Sequence, residues 1–446
     1  MKDRAAASPG AAWRRLWPLA ASVFLLSACA YELLSGSQVN QQNAAKIEAG
    51  IQRLRQLSFK RKVPLVVKTP AEVEKLLIAD MARDTTDTEF QVDGAAGALL
   101  GLYPVGIDLK AATLKLLRSQ VAGFYDPHQK QMVLVEGGSN PGFWNGATEF
   151  LVQRDVVGEM LLAHELTHAL QDQNFALEQS LDKVKDDDDK ALALKCVAEG
   201  DATLAGFAYA MGSMSDATAD TLTDHLRDLP QEFAAESGDT PEGLSAPLLF
   251  QYSDGVRFVA EAYRRGGWAA VDALYRNPPQ SSHQIIHPAL YFDRPTPPLK
   301  ISIDGYQTVM SRWTKADDDT YGELLLRTIL ERNLGDESYD VDLARLWSGD
   351  HMVILQEGRG LTVIWMLAFE DQPTASHFAA VYATLLDRLL DGVTEHRIDY
   401  RGKAVLVLIG EGAQYFNSLA PAIWNASRID SHRAGGVLES ADAQSP

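Results

Sequence analysis

The sequence LLAHELTHALQDQ, residues 161–173, carries the pattern H-E-x-x-H within an apolar segment of helical spacing. In an α-helix, residues four positions apart lie on the same face, so His164 and His168 can direct their imidazole nitrogens at one point in space. Glu165 projects beside them, where it can accept a proton from a water molecule activated by a metal ion. The same letters also occur by chance in ordinary amphipathic helices, so the pattern needs support from its surroundings.

A second helix, predicted over residues 191–211, offers a third ligand. Zn²⁺ is the ion best suited to such a site, since it is redox-inert and accepts mixed nitrogen and oxygen ligands. Glu199 has small and apolar neighbours, and a buried glutamate needs a partner, so we expect it to complete the set with His164 and His168. Asp201 is the competing ligand, or an acceptor that orients an imidazole through its other nitrogen.

These two segments, HELTHALQDQ and EGDA, resemble the gluzincin branch of zinc metallopeptidases, and more narrowly a group of bacterial lipoproteins that carry both. The resemblance covers roughly residues 50–300 and includes QVAGFYDPHQKQMVLV, FQYSDGVRFV and PPQSSHQIIHP. In the last of these the group tends to have Ser-Thr-Glu-Gln, whereas this chain has Ser-Ser-His-Gln at residues 281–284. The resemblance implies peptide-bond hydrolysis by zinc-activated water, with Glu165 as general base and a protein or peptide as substrate.

Three further side chains have competing interpretations. Tyr252 can donate a hydrogen bond to an oxyanion, as a tyrosine or histidine does in many zinc peptidases, but a packing role is the more common one. His283 and His287 are also four residues apart, but HQIIH lacks a glutamate and is followed by Pro288. For this pair the sequence therefore favours a structural or substrate-groove role over a second metal site.

The N-terminus predicts export. Basic residues precede an apolar stretch, residues 16–26, which is too short to span a bilayer as a helix. The sequence LSAC that follows resembles the lipobox of bacterial lipoproteins, so Cys29 is the expected site of lipidation. An ordinary signal peptide or an uncleaved anchor are the alternatives. By resemblance to lipoprotein sorting in two-membrane bacteria, an alanine rather than an aspartate at residue 30 favours the outer membrane, if the organism has one.

Charge limits the choice of partners. The net charge is −19, and the first 28 residues carry four basic residues and one acidic residue, so the remainder is close to −22. Such an acidic chain argues against binding nucleic acid and against electrostatic adhesion to anionic lipid. Membrane attachment is therefore expected through the lipid anchor alone. With Cys29 lipidated, Cys196 is the only remaining thiol, and we expect it to be buried and inert.

The predicted fold class is α+β, with a zincin-like, mainly helical metallopeptidase domain and a C-terminal α+β module of hairpins and helices. Within the first domain, KDDDDK at residues 185–190 is predicted to be a solvated loop. The predicted divisions are a lipoprotein signal peptide at 1–28, a polar tether at 29–50, the metallopeptidase-like domain at 51–300 and the module at 301–446.

The sequence thus predicts a lipid-anchored zinc metallopeptidase of the cell envelope. One alternative is a non-catalytic envelope binding or assembly lipoprotein, in which zinc merely ties two helices together. A zinc hydrolase acting on a non-peptide amide is a weaker alternative. A structural zinc site has four protein ligands, whereas a catalytic site keeps a position open, so the number of ligands separates the first two.

Overall fold

The structure is a computed structural model that describes residues 34–430, apart from residues 36–37, 121–122, 137–153, 231–232, 234–239, 336–337, 391 and 393. The predicted signal peptide and Cys29 lie outside the described residues. The architecture is mixed α+β, as the sequence predicts.

Helices dominate the part of the chain before residue 300. In chain order they are α1 (Gln41–Arg55), α2 (Pro70–Asp84), α3 (Asp87–Leu100), α4 (Leu109–Gln120), α5 (Arg154–Phe175), α6 (Leu177–Val184), α7 (Asp188–Ala210), α8 (Asp216–His225), α9 (Glu242–Tyr252), α10 (Asp254–Arg276), α11 (Ser282–Ile286) and α12 (Ala289–Phe292). Beside them lie two short strands, β1 (Leu34–Ser35) and β2 (Gln38–Val39), and a three-stranded sheet of β3 (Leu65–Lys68), β4 (Gly123–Asp126) and β5 (Gln131–Val135), in the order β3-β5-β4.

Helix α7 is the centre of the helical part. It packs against α1, α5, α9 and α10, and nearly every residue of it is buried. Two of its glycines permit this close packing. A Cβ atom at Gly200 would lie 2.4 Å from the Gly255 carbonyl oxygen on α10, and one at Gly206 would lie 2.7 Å from the Met160 carbonyl oxygen on α5. The lack of side chains at these positions therefore sets the distance between α7 and its neighbours.

The C-terminal part is built on a five-stranded antiparallel sheet in the order β10-β11-β9-β8-β7. Within the described residues, its remaining elements are a two-stranded sheet and four helices. The bounds are β6 (Lys300–Ser302), α13 (Tyr306–Val309), β7 (Thr314–Asp319), α14 (Gly322–Leu334), β8 (Trp347–Glu357), β9 (Gly360–Phe369), α15 (Gln372–Leu389), β10 (His396–Arg401), β11 (Ala404–Gly410), α16 (Phe416–Ala426) and β12 (Arg428–Asp430), with 3-10 turns at Tyr339–Leu346 and Glu411–Tyr415.

Both faces of the five-stranded sheet are buried. Along β9, Trp365 and Leu367 belong to the main core shared with the helical part, whereas Ile364 and Met366 belong to a smaller core that includes Leu419 of α16. Because successive side chains of a strand point to opposite faces, both faces of the central strands are apolar. The predicted hairpins and the helix between them are thus confirmed, and the sheet joins two cores.

Two predictions from the sequence are wrong in part. The tether was predicted over 29–50, but α1 begins at Gln41 and buries Ala44 and Ile47 in the core. Its polar composition concealed a helix with one narrow apolar face. The segment KDDDDK is likewise not a solvated loop throughout, because α7 begins at Asp188, and Asp188 and Asp189 are buried.

Helix α10 is interrupted at residues 266–267. Gly266 and Gly267 leave the helical conformation within α10, and Gly267 has a φ of 62°, which favours glycine. Among the helices of the described residues, none combines the length and the apolar character that a bilayer crossing demands.

Candidate metal centre

Three side chains from α5 and α7 meet in the interior of the helical part. The Nε2 atoms of His164 and His168 lie 3.4 and 3.5 Å from one carboxylate oxygen of Glu199, and 3.0 Å from each other. All three residues are at most 3% exposed. The structure therefore brings together the two histidines and the glutamate that the sequence nominated as ligands.

Helix packing produces this arrangement. His164 and His168 lie one turn apart on α5, and Glu199 lies on α7, which packs directly against α5. The close contact at Gly206 also lies beside the site, since a Cβ atom there would be 3.2 Å from the Cβ of His164. A larger residue at position 206 would therefore separate the two helices where the site is formed.

The donor set fits a tetrahedral zinc ion. Ligand atoms about 2.0–2.1 Å from a tetrahedral zinc lie about 3.3 Å apart, close to the separations of 3.0, 3.4 and 3.5 Å in this cluster. The carboxylate-to-imidazole distances exceed the usual range for a hydrogen bond, about 2.7–3.2 Å. Among the described residues, the group of potential ligands here consists of His164, His168 and Glu199. A tetrahedral ion bound to these three would therefore have a fourth position without a protein ligand.

A hydrogen-bonded chain fixes the tautomer of His168. Gln171 donates its amide N–H to the Ala198 carbonyl and to Asp201, at 2.9 and 3.1 Å. Its amide oxygen, Oε1, therefore faces His168 Nδ1 at 2.9 Å and accepts a hydrogen bond from it. With the proton on Nδ1, the Nε2 atom of neutral His168 presents a lone pair toward Glu199 and His164, as a metal ligand requires.

Asp201 anchors this chain without touching His168 itself. The sequence placed Asp201 against an imidazole nitrogen, whereas the structure places Gln171 at His168 and Asp201 one step further out. Asp201 is fully buried and forms an ion pair with Arg55, whose Nε lies 2.7 Å from Oδ1, and it accepts a hydrogen bond from the Tyr275 hydroxyl at 2.8 Å.

Arg55, Gln171 and Tyr275 are site residues that the sequence analysis missed. Of the residues in this network, only Asp201 could be anticipated to have a partner, because a buried aspartate requires a cationic or hydrogen-bonding partner. Nothing in the sequence indicates that the partner comes from α1, because its residues are predicted to form the tether and the start of the domain. Arg55 also lies over the ring of Trp268, with its guanidinium carbon 4.4 Å from the ring centroid.

Glu165 lies beside the cluster and is completely buried. One oxygen accepts a hydrogen bond from the Tyr125 backbone N–H at 2.9 Å, and the other makes no hydrogen bond within the described residues. Burial, followed by the negative charge of Glu199, raises the pKa of Glu165 well above its usual value. Such a carboxylate is a stronger proton acceptor than an exposed glutamate.

Tyr252 is also completely buried next to the cluster. Burial raises the pKa of its phenol well above the usual value, and the charges of Glu199 and Glu165 act in the same direction. The phenol therefore keeps its proton, and its interaction with Glu199 acts in the same direction as burial. Cys196 is buried as expected, and burial raises the pKa of its thiol, which keeps it unreactive.

The second histidine pair does acquire a glutamate, from a distant part of the chain. His283 and His287 both contact Glu323 of α14, with nitrogen-to-oxygen distances of 2.6 and 3.0 Å. Local sequence spacing does not indicate this contact, because Glu323 lies far downstream of the two histidines in the C-terminal part.

Comparison with known families covers only the C-terminal part. A family model described as a domain of unknown function, DUF8575, matches residues 308–415. The matched segment includes β7–β11 and Glu323, and excludes His164, His168 and Glu199. No curated protein and no solved structure matches the chain.

Proposed function

We propose that this protein is a zincin-like zinc metallopeptidase of the gluzincin type. The observation that carries the proposal is the convergence of His164, His168 and Glu199, with Glu165 buried beside them. In this proposal a zinc ion bound there supplies Lewis acidity, which lowers the pKa of a water molecule and polarises a scissile carbonyl.

The residues of the chain have distinct roles. His164, His168 and Glu199 hold the ion, and Gln171 keeps His168 in the tautomer that exposes Nε2. One oxygen of Glu165 accepts the hydrogen bond from the Tyr125 N–H, which fixes the position of the carboxylate. The other oxygen, which has no hydrogen bond within the described residues, takes the proton from water and returns it to the leaving amine. The protonated Tyr252 phenol is the proposed donor to the developing oxyanion.

The number of ligands supports catalysis over a purely structural site. A structural zinc site is closed by four protein ligands, whereas this group contains three among the described residues. The deep burial of the same three side chains favours the second candidate, a non-catalytic envelope lipoprotein in which the metal ties α5 to α7. The two candidates predict the same metal content and opposite outcomes in a peptide-hydrolysis assay.

Replacing Glu165 by glutamine tests the catalytic proposal. Glutamine fills the same space but cannot accept the proton, so we expect Glu165→Gln to bind as much zinc as the parent while losing about two to four orders of magnitude in peptide hydrolysis. A peptide-library digest gives the activity, and metal analysis gives the zinc content. Glu159→Gln, on the same helix, is the matched control and should remain active. Hydrolysis that survives in Glu165→Gln would assign the base to another residue or the activity to a contaminant.

The proposed location is the cell envelope, with attachment through a lipid on Cys29. Mass spectrometry of the protein extracted from membranes should find an N-terminal, lipid-modified Cys29. We expect Cys29→Ser to be released from the membrane fraction. An unmodified chain that begins elsewhere, or a Cys29→Ser variant that stays bound, would exclude the lipid anchor and leave the metal site unaffected.

A further inference from the structure

His283, His287 and Glu323 form a second group of metal-ligating side chains, separate from the centre on α5 and α7. His283 lies on α11, His287 directly follows this helix, and Glu323 is the second residue of α14. Glu323 Oε2 lies 2.6 Å from His283 Nδ1 and 3.0 Å from His287 Nε2. One donor atom from each of the three residues lies within 4.8 Å of the others.

The position of Glu323 is fixed by its surroundings. Asp350 accepts hydrogen bonds from the backbone N–H groups of Tyr321 and Gly322, at 3.0 and 2.9 Å, which holds the start of α14. The backbone N–H of Leu324 donates to the Ser282 hydroxyl at 3.2 Å. Helix α14 is thus tied directly to α11, and Glu323 has little freedom to turn away from the histidines.

The carboxylate of Glu323 is completely buried against the two imidazoles. A carboxylate in the interior is costly unless it has hydrogen-bonding or cationic partners, and the two imidazoles are the side chains that face this one. A divalent cation between the three side chains would neutralise it.

The histidines also border an open cleft. A cavity of about 460 Å³ is lined by His283, His287, Arg294 and Arg345, among others, and the side chain of His287 is 27% exposed. A metal ion can therefore reach the three ligands from this side, and water can complete its coordination. This access distinguishes the group from a fully enclosed hydrogen-bonded cluster.

We propose that His283, His287 and Glu323 form a second metal site for a divalent first-row transition metal, with Zn²⁺ the best match to two imidazoles and one carboxylate. The site joins two regions of the chain, because the histidines precede residue 300 and Glu323 lies within the segment that matches DUF8575. The metal therefore fastens this segment to the helical part. The proposal does not depend on peptide hydrolysis, since its test measures bound metal.

The test uses the full-length protein, stripped of metal by a chelator, with the first centre disabled by His164→Ala and His168→Ala. Zinc is titrated in competition with a chelating dye, and bound ions are counted by native mass spectrometry. We expect one zinc ion per chain in this background. Adding Glu323→Gln should weaken binding by well over tenfold, because losses of groups that only orient a ligand already cost about 10 to 100-fold.

Two further variants complete the design. His377→Ala removes an exposed histidine that pairs with Asp340 at 3.0 Å and is not one of the three grouped ligands, and it should leave zinc binding unchanged. His287→Gln removes the most exposed ligand and provides a second test if Glu323→Gln fails to fold. The proposal is overturned if the background variant binds no zinc, or if the folded Glu323→Gln or His287→Gln protein binds zinc as tightly as that background.

Discussion

Replacing Arg55 by methionine should strongly destabilise the protein, although Arg55 lies outside the sequence motifs. Its side chain and that of Asp201 are both completely buried, and the guanidinium binds the carboxylate through Nε at 2.7 Å and through a terminal nitrogen at 3.1 Å. Methionine is similarly long and unbranched, so Arg55→Met removes the charge with a small change in packing. The variant leaves the Asp201 carboxylate buried without its cation.

The loss in unfolding free energy depends on the hydrogen bonds that Asp201 retains in the variant. Removing one partner of a buried ion pair costs about 3–5 kcal/mol. Tyr275 and Gln171 still donate hydrogen bonds to Asp201, so we expect the lower end of this range, about 3 kcal/mol. With an unfolding entropy of about 2.1 cal/mol/K per residue, a chain of 446 residues has an unfolding entropy of about 0.9 kcal/mol/K, so this loss corresponds to a fall in Tm of about 3 °C.

The assay is thermal unfolding of metal-free protein, which separates the ion pair from the metal. Arg53→Met, which changes an exposed arginine on the same helix, is the control and should unfold close to the parent temperature. Adding Asp201→Asn to Arg55→Met should restore part of the stability, because the uncompensated charge is then absent. The reasoning is refuted if Arg55→Met is as stable as Arg53→Met, or if the double variant is less stable than Arg55→Met alone.

Three other predictions concern α7. Glu199→Ala should weaken zinc binding at the first centre by well over tenfold, and Asp201→Asn should weaken it less, since Asp201 acts through Gln171. Competition with a chelating dye ranks the zinc affinities of the two variants. If Asp201→Asn binds zinc more weakly than Glu199→Ala, Asp201 is the ligand. Gly206→Ala should destabilise the protein by about 1–3 kcal/mol and weaken zinc binding, because the new methyl group forces α5 and α7 apart; denaturant unfolding measures this, and parental stability would contradict it. Burial lowers the pKa of Lys195 from 10.5 to about 7. Between about pH 7 and pH 10 the amine is therefore protonated in the unfolded chain and neutral in the folded protein. The contribution of Lys195 to the free energy of unfolding consequently rises with pH in this range. Lys195→Met should remove that contribution, which is measured as the difference in unfolding free energy between pH 7 and pH 9. If this difference is the same in the variant and the parent, another group causes the pH dependence.

Local patterns predicted the elements that hold the first centre. The pair His164 and His168 needs only a helix, because a spacing of four residues brings both to one face whatever surrounds them. The helix that carries Glu199 and the hairpins of the C-terminal part were predicted for the same reason, since apolar periodicity is a local property. The polar composition of residues 41–50 gave a weak pattern, and there the prediction failed.

The tertiary structure decided the contacts between residues that lie far apart in the chain. The sequence determined that His164, Glu165 and His168 share one helix and nominated Glu199 as their partner, but the approach of α7 to α5 depends on packing at Gly206. Arg55 meets Asp201, and Glu323 meets His283, only because separate helices pack together. Such pairs leave no mark in local periodicity, since the chain between them can adopt many paths and only the packed core selects one.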